Sequence, residues 1–272
     1  MSDNYEQPFF ERPRDRQIDV AKGVLIERFF PDDGTTVYYG RQLEVALERE
    51  FFHWITKRAL NELAEERTIN FAEEKTDHHV AHFYWPRRHR YPRRQIRDTL
   101  ALIKEFSDPT FTRALGSQAE LLLDAGFARI GFRVLASNVR EHGEIKWLNT
   151  DHNLDRIIER DGLAYGVEVK NQLAYIDQTE FQIKLQMCEH LDLRPLFVAR
   201  MMPKNYIQTV VQAGGFSLLF GNQHYPLLAD ELAKRVRDRL GLPILCIREL
   251  PDTTLKRFER WHVGQLEKRQ RG

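Results

Sequence analysis

Asp155, Glu168 and Lys170 are the residues whose types and spacing suit chemistry on a phosphate. Two carboxylates can hold a hard divalent cation, and an ammonium beside them can offset charge on a phosphoryl group. Glu168 and Lys170 share one parity in GVEVKN, residues 166–171, a valine-rich segment that reads as a buried strand. Along a strand they lie about 6.6 to 7 Å apart on one face. A buried strand that carries two charges needs something to balance them.

The segment before GVEVKN supplies the context. In LDRIIER-DG-LAYGVEVK, Asp161-Gly162 separates two β-rich runs, the signature of a two-residue hairpin turn with both central residues at positive φ. Such a loop fixes the register, so that facing residues have numbers summing to 323. One face then carries Leu154, Ile158, Tyr165, Val167 and Val169 with Arg156, and is suited to a core. The other sets Ile157 opposite Gly166 and Asp155 opposite Glu168. Like charges directly opposed are destabilising, which calls for a positive charge between them. Lys170 is close enough to share the site but not to neutralise both acids by contact. A divalent cation such as Mg²⁺ does so better, with Asp155 rather than Asp151 as the second ligand. The plain alternative is a solvated charged face. Against it stand Ala164 and Gly166, which leave that face bare for close approach, and a helical segment that follows and would cover one side of the sheet.

These residues must be positioned by surrounding elements. Residues 1–17, rich in Pro, Arg and Asp, read as a flexible N-terminal arm. Residues 18–86 contain TVYYG, then RQLEVALEREF and HWITKRALNELAEER with apolar stripes at helical spacing, then the β-rich TINF and HHVAHFYW. Helix, helix, hairpin is the order of a winged helix. Residues 87–108 read as a basic connector, RRHRYPRRQIR, running into a helix. From 109 to 250 the order is helix, three strands, helix, strand, with a further helix and strand. Residues 251–272 read as a polar C-terminal tail.

Composition narrows the class. The chain of 272 residues carries 41 Lys and Arg against 40 Asp and Glu, so net charge predicts no general affinity for nucleic acid or membrane, and local charge has to be read instead. Cys188 and Cys246 lack the spacing of a disulfide framework or a metal knuckle and read as inert thiols. The first residues are too polar for a secretory signal, and no apolar run approaches membrane-spanning length. A cytoplasmic protein with no membrane partner is expected.

Asp155, followed after twelve intervening residues by Glu168-Val169-Lys170, resembles the signature of the PD-(D/E)xK nuclease superfamily, which includes restriction endonucleases and Holliday-junction resolvases. The resemblance spans roughly residues 111–200 and includes the element order. Asn153-Leu154 stand where the family name places proline. The family often adds a glutamate from its first helix, and Glu120 in GSQAELLLDAG is placed like it. A Lys or Gln on the helix after the third strand often touches the site, and Lys184 and Gln186 both qualify. The resemblance implies a mixed α/β (α+β) fold with a restriction endonuclease-like αβββαβ core and a mixed central sheet. It also implies metal-dependent phosphodiester hydrolysis. Asp155, Glu168 and the Val169 carbonyl would hold Mg²⁺, or Mn²⁺ in its place, Glu120 would anchor a second ion or its water, and Lys170 would orient water or offset charge on the phosphate.

In the N-terminal half, Lys57, Arg58 and Asn61 lie on the helix face away from the apolar stripe, where a winged helix meets the major groove. They are equally placed to be solvated or to hold a partner protein. Arg87, Arg88, Arg90, Arg93 and Arg94, with Tyr91 among them, suit a phosphate backbone. His78, His79 and His82 resemble a metal cluster only at first, because strand alternation puts His79 opposite the other two and no fourth ligand is evident. The expectation is a Mg²⁺-dependent DNA endonuclease, acting as a homodimer because cutting both strands of a symmetric substrate needs two sites. The alternatives are a DNA-binding regulator with an inactive nuclease-like domain, and a nuclease for RNA or nucleic acid ends.

Overall fold

The computed structural model describes residues 15–77 and 79–271, which fall into two compact units divided between Leu100 and Ala101. Of the expected N-terminal arm, residues 1–14 lie outside the described residues, as does His78. Among the described residues no helix is long and apolar enough to cross a membrane.

The first unit runs α1 (Arg16–Phe29), β1 (Tyr38–Tyr39), α2 (Gly40–Ala46), α3 (His53–Glu65), β2 (Ile69–Lys75) and β3 (Val80–Pro86). Strand β3 is central in an antiparallel sheet of order β1-β3-β2. The two expected helices are present, although the first ends at Ala46, short of the apolar stripe read from sequence. Helix α1 was not read from the sequence. It begins at Asp15, whose side chain caps it by accepting from Gln17 N, and it supplies Ile18, Ala21 and Leu25 to a core shared with Leu43, Ile55, Leu60 and Tyr84. Helix α4 (Arg93–Phe106) crosses the division between the units.

The second unit begins with α5 (Pro109–Arg129), where Asp108 accepts from Thr110 N and Phe111 N and Pro109 occupies the first turn. There follow β4 (Arg133–Val139), the short hairpin β5 (Glu141–His142) and β6 (Ile145–Lys146), β7 (Leu154–Arg160), β8 (Leu163–Lys170), α6 (Gln178–His190), β9 (Arg194–Ala199), α7 (Lys204–Gln212), β10 (Phe216–Leu219), β11 (Gln223–Tyr225), α8 (Asp230–Leu240), β12 (Ile244–Cys246) and α9 (Asp252–Arg271). The central sheet is mixed, in the order β10-β9-β8-β7-β4. Pairing is antiparallel from β4 to β8 and parallel from β8 to β10.

Both faces of this sheet are covered. Ile158, Tyr165, Val167 and Val198 pack with Leu122, Leu123 and Phe127 of α5 and Leu255 and Phe258 of α9. On the opposite face Ile157 meets Met187 and Cys188 of α6, while Phe197 meets Phe181 of α6 and Val210 of α7. Gly166 permits the approach of α6, because a Cβ there would lie 2.7 Å from Cys188 Sγ.

Three expectations differ from the structure. Residues 252–271 form a helix whose Leu255 and Phe258 belong to the core, not a polar tail, because its many charges lie on the other side of an apolar stripe. The edge of the central sheet is taken by β10, which was not read from the sequence, and the expected last strand, β12, pairs in parallel with β11 in a separate ribbon. Leu154 packs with Ile157 under α6 instead of joining Ile158, since the ladder between β7 and β8 ends at Arg156↔Val167 and no longer dictates its face.

Candidate active site

The hairpin has the register read from its turn. Arg156 faces Val167, Ile158 faces Tyr165 and Arg160 faces Leu163, with Asp161 at φ 54° and Gly162 at φ 71°. Beyond Arg156 the β7 strand leaves the ladder, so the expected pairing of Asp155 with Glu168 does not form, and the Asp155 side chain takes over the bonding: its Oδ2 accepts from Val169 N at 2.6 Å. This holds Asp155 beside the stretch of β8 that carries Glu168 and Lys170.

Glu168 is 2% exposed, under α6. Lys170 Nζ lies 2.9 Å from Glu168 Oε1 and Lys184 Nζ 2.5 Å from Oε2. Each carboxylate oxygen is thus held in a buried ion pair, Oε1 with Lys170 and Oε2 with Lys184. Lys170 also reaches Glu180 Oε1 at 2.8 Å, and Lys184 donates to the Asn153 carbonyl. Burial pushes the Glu168 carboxyl above its ordinary value, and the Asp155 charge adds to that, while Lys170 and Lys184 oppose it. Burial pulls the Lys170 ammonium down, but Glu168 and Glu180 together raise it above its ordinary value.

The helix that supplies Lys184 and Glu180 is set by its own start. Asp177 caps α6 by accepting from Thr179 N and Glu180 N. The loop before it is pinned by Arg200, 1% exposed, which donates to the carbonyls of Gln172 and Leu173. Asn171, also buried, donates to the carbonyls of Leu115 and His224. Of the two residues read as candidates on this helix, Lys184 is inside the site and Gln186 is exposed.

Glu120 stands apart from this group. Its Oε2 accepts from Arg156 Nη2 at 2.7 Å, and Asp124, one turn further along α5, accepts from Arg156 Nε at 3.2 Å. Arg156 also donates to the Asp155 carbonyl at 2.8 Å, so Glu120 is tied to the site only through that guanidinium. Asp151 is fully exposed and pairs with Arg140. Arg156, Asp124 and Glu180 were not read as site residues. Glu120 and Asp124 are four apart on one helix face, and that spacing facing a lone arginine among core residues was the available signal.

The donor set bears on whether a divalent ion fits. Among the described residues no three Asp, Glu, His or Cys side chains gather as a ligand cage. Mg²⁺ commonly takes only one or two carboxylates and leaves its other positions to water and substrate. Asp155, Glu168 and the Val169 carbonyl offer that smaller set, and the bond from Val169 N holds Asp155 beside the strand that carries Glu168.

In the first unit, Lys57 and Arg58 are exposed on α3 beside Trp54, which is 54% exposed. Arg58 pairs with Glu62 at 3.0 Å, and Asn61 accepts from the Tyr84 hydroxyl at 2.9 Å, so its side-chain oxygen is turned to the strand. Arg88 faces Asp32 at 3.3 Å and Arg94 faces Asp98 at 3.9 Å. Arg87, Arg90 and Arg93 are exposed and, among the described residues, have no carboxylate in ion-pair range. His82 pairs with Glu73 and His79 bonds Thr76, a strand and turn arrangement. No protein-family model matches the chain, and no curated protein matches it.

Proposed function

We propose that the second unit is a divalent-metal-dependent nuclease that hydrolyses phosphodiester bonds in DNA, with Asp155, Glu168 and Lys170 as its catalytic residues. The observation that carries this reading is the buried Glu168 carboxylate. It sits next to a second acid and between two ammonium groups, one against each of its oxygens. The order α5, β4, β7, β8, α6, β9 supports a restriction endonuclease-like core. The order α1, β1, α2, α3, β2, β3 around a β1-β3-β2 sheet supports a winged helix in the first unit.

Asp155, Glu168 and the Val169 carbonyl would hold the ion. When bound, Mg²⁺ or Mn²⁺ supplies electrophilic polarisation of a phosphoryl oxygen and lowers the pKa of water. Lys170, kept an ammonium by Glu168 and Glu180, acts as a fixed positive charge that orients water and offsets charge on phosphate; it does not remove protons as a base. Glu180 and Lys184 position these groups, and Arg156 fixes Asp155 from the α5 side. Two copies of the chain would be needed to cut both strands of a symmetric substrate.

The test is a cleavage screen of the purified chain on duplex, single-stranded, branched and modified DNA and on RNA, with and without Mg²⁺. Asp155→Asn keeps an oxygen to accept from Val169 N and is expected to fold but not cut. Unchanged cutting by that variant overturns the assignment. A second reading, an inactive nuclease-like scaffold, draws on the mutual neutralisation of Glu168, Lys170, Glu180 and Lys184. It requires that Mn²⁺ affinity be absent, whereas the nuclease reading requires an affinity that disappears with Asp155→Asn.

A further inference from the structure

We propose that the basic segment following β3 forms a pocket for an unpaired nucleotide, so that the first unit holds single-stranded nucleic acid and not only the backbone of a duplex. This rests on the nucleic-acid reading of the chain but not on its chemistry. The segment borders an open depression of about 720 Å³ whose lining includes Asn70, Trp85, Arg87, Arg90, Tyr91 and Arg93. That is within the range of about 300 to 1,000 Å³ typical of pockets for small ligands.

The lining combines two chemistries that a nucleotide presents together. Tyr91 is 83% exposed, leaving its ring faces open, and the buried Trp85 forms part of the lining. Around them, Arg87, Arg90 and Arg93 have no carboxylate in ion-pair range among the described residues, while their neighbours Arg88 and Arg94 do. Aromatic rings stack on bases, and unpaired guanidinium groups take phosphates.

The depression is braced by the fold itself. Asn70 Nδ2 donates to the carbonyls of Pro86 and Arg87 at 3.1 and 3.0 Å, and His89 N donates to the Pro86 carbonyl. At the far end Gln95 donates to the Thr35 carbonyl at 2.7 Å and accepts from Val37 N at 3.0 Å. Residues 86–95 are thus fastened at both ends to the first unit. A ligand entering them pays little ordering entropy.

The same features argue against a paired base as the occupant. A duplex keeps its base faces stacked and offers only edges and phosphates, so it would use the arginines and leave the ring idle. A single strand can splay a base onto Tyr91 while its phosphates meet the guanidinium groups.

The experiment is fluorescence anisotropy with the full chain in EDTA, so that cleavage plays no part. The probes are a short labelled oligothymidylate, the matching duplex and polyglutamate as an acidic peptide competitor. The single strand is expected to bind more tightly than the duplex. Tyr91→Ala should weaken it by about five- to one-hundredfold, with the slope of log affinity against log salt unchanged. Arg90→Ala with Arg93→Ala should make that slope shallower by about 0.7 for each phosphate no longer neutralised. Tyr91 is exposed, and an unchanged melting temperature checks that its variant folds. Equal binding by Tyr91→Ala, preference for duplex, or displacement by polyglutamate each overturns the pocket while leaving the cleavage screen to judge the nuclease reading separately.

Discussion

Lys184 Nζ lies 2.5 Å from Glu168 Oε2, with the two side chains only 5% and 2% exposed. A buried charge that loses its partner is expensive, because neither water nor another ion replaces it. Lys184→Met is therefore expected to lower stability by about 3 kcal/mol, the low end of the usual range because Lys170 still faces Glu168. Glu168→Gln in the same chain should recover most of the loss. Urea unfolding with unchanged m-values checks both.

Metal affinity should rise with pH. Burial, with the Asp155 charge second, holds the Glu168 carboxyl above its ordinary value of 4.5, so the folded protein keeps that proton to higher pH than the unfolded chain does. Stability from this group is therefore full below the ordinary value and is lost as pH rises through the raised one. A cation binds only the ionised form and works in the opposite direction. Stabilisation by added Mg²⁺, read as the shift in melting temperature, should grow as pH rises. Glu168→Gln should abolish the shift at every pH.

Lys170→Ala removes the fixed ammonium while leaving both carboxylates. Deleting one such electrostatic group typically lowers turnover by about 10²- to 10³-fold. Cleavage by this variant is expected to fall within that range with Mn²⁺ affinity retained. Equal loss of both would mean that Lys170 acts by holding Glu168 in place and not as a charge on the phosphate.

Gly166→Ala is expected to cost about 1 to 3 kcal/mol as overpacking, since its Cβ would meet Cys188 Sγ at 2.7 Å and Leu154 Cδ1 at 2.8 Å. Both atoms are in the packed interior, and Cys188 belongs to the helix that carries Lys184. The change should therefore weaken metal affinity as well as stability, and Cys188→Ala should restore part of both. Thermal melts and Mn²⁺ titrations of the three variants check this.

Cutting the chain after Pro251 should prevent the second unit from folding. Leu255 and Phe258 are 1% and 0% exposed, and burying two such side chains contributes about 3 to 6 kcal/mol, a large share of a domain's net stability. The far-ultraviolet circular dichroism and solubility of the shortened chain provide the measurement.

The hairpin was the most legible part, because Asp161-Gly162 demands positive φ at both positions and so fixes each opposed pair back to Arg156. Past that point backbone pairing no longer governs, and the sequence could not show that Leu154 turns under α6 or that Asp155 bonds Val169 N. Lys184 and Gln186 differ by two positions on one helix, and only the packing of Phe181, Met187 and Cys188 decides which points inward. Helix α9 was misread on its charge, although Leu255, Phe258 and His262 recur at helical spacing. The tie between Glu120 and Arg156 depends on how α5 lies across the sheet, which no local pattern encodes.

The Asp161-Gly162 loop acts as a ruler for the distant end of its hairpin. Side chains alternate with a period of two, so a slip of one residue would send Glu168 to the opposite face while leaving most of the ladder able to form. The length of an exposed turn at one end of β7 and β8 therefore sets which face Glu168 takes at the other, beside an Asp155 held by its own bond to Val169 N. An insertion at that tip, remote from every charged group of the site, would be an active-site change by arithmetic alone.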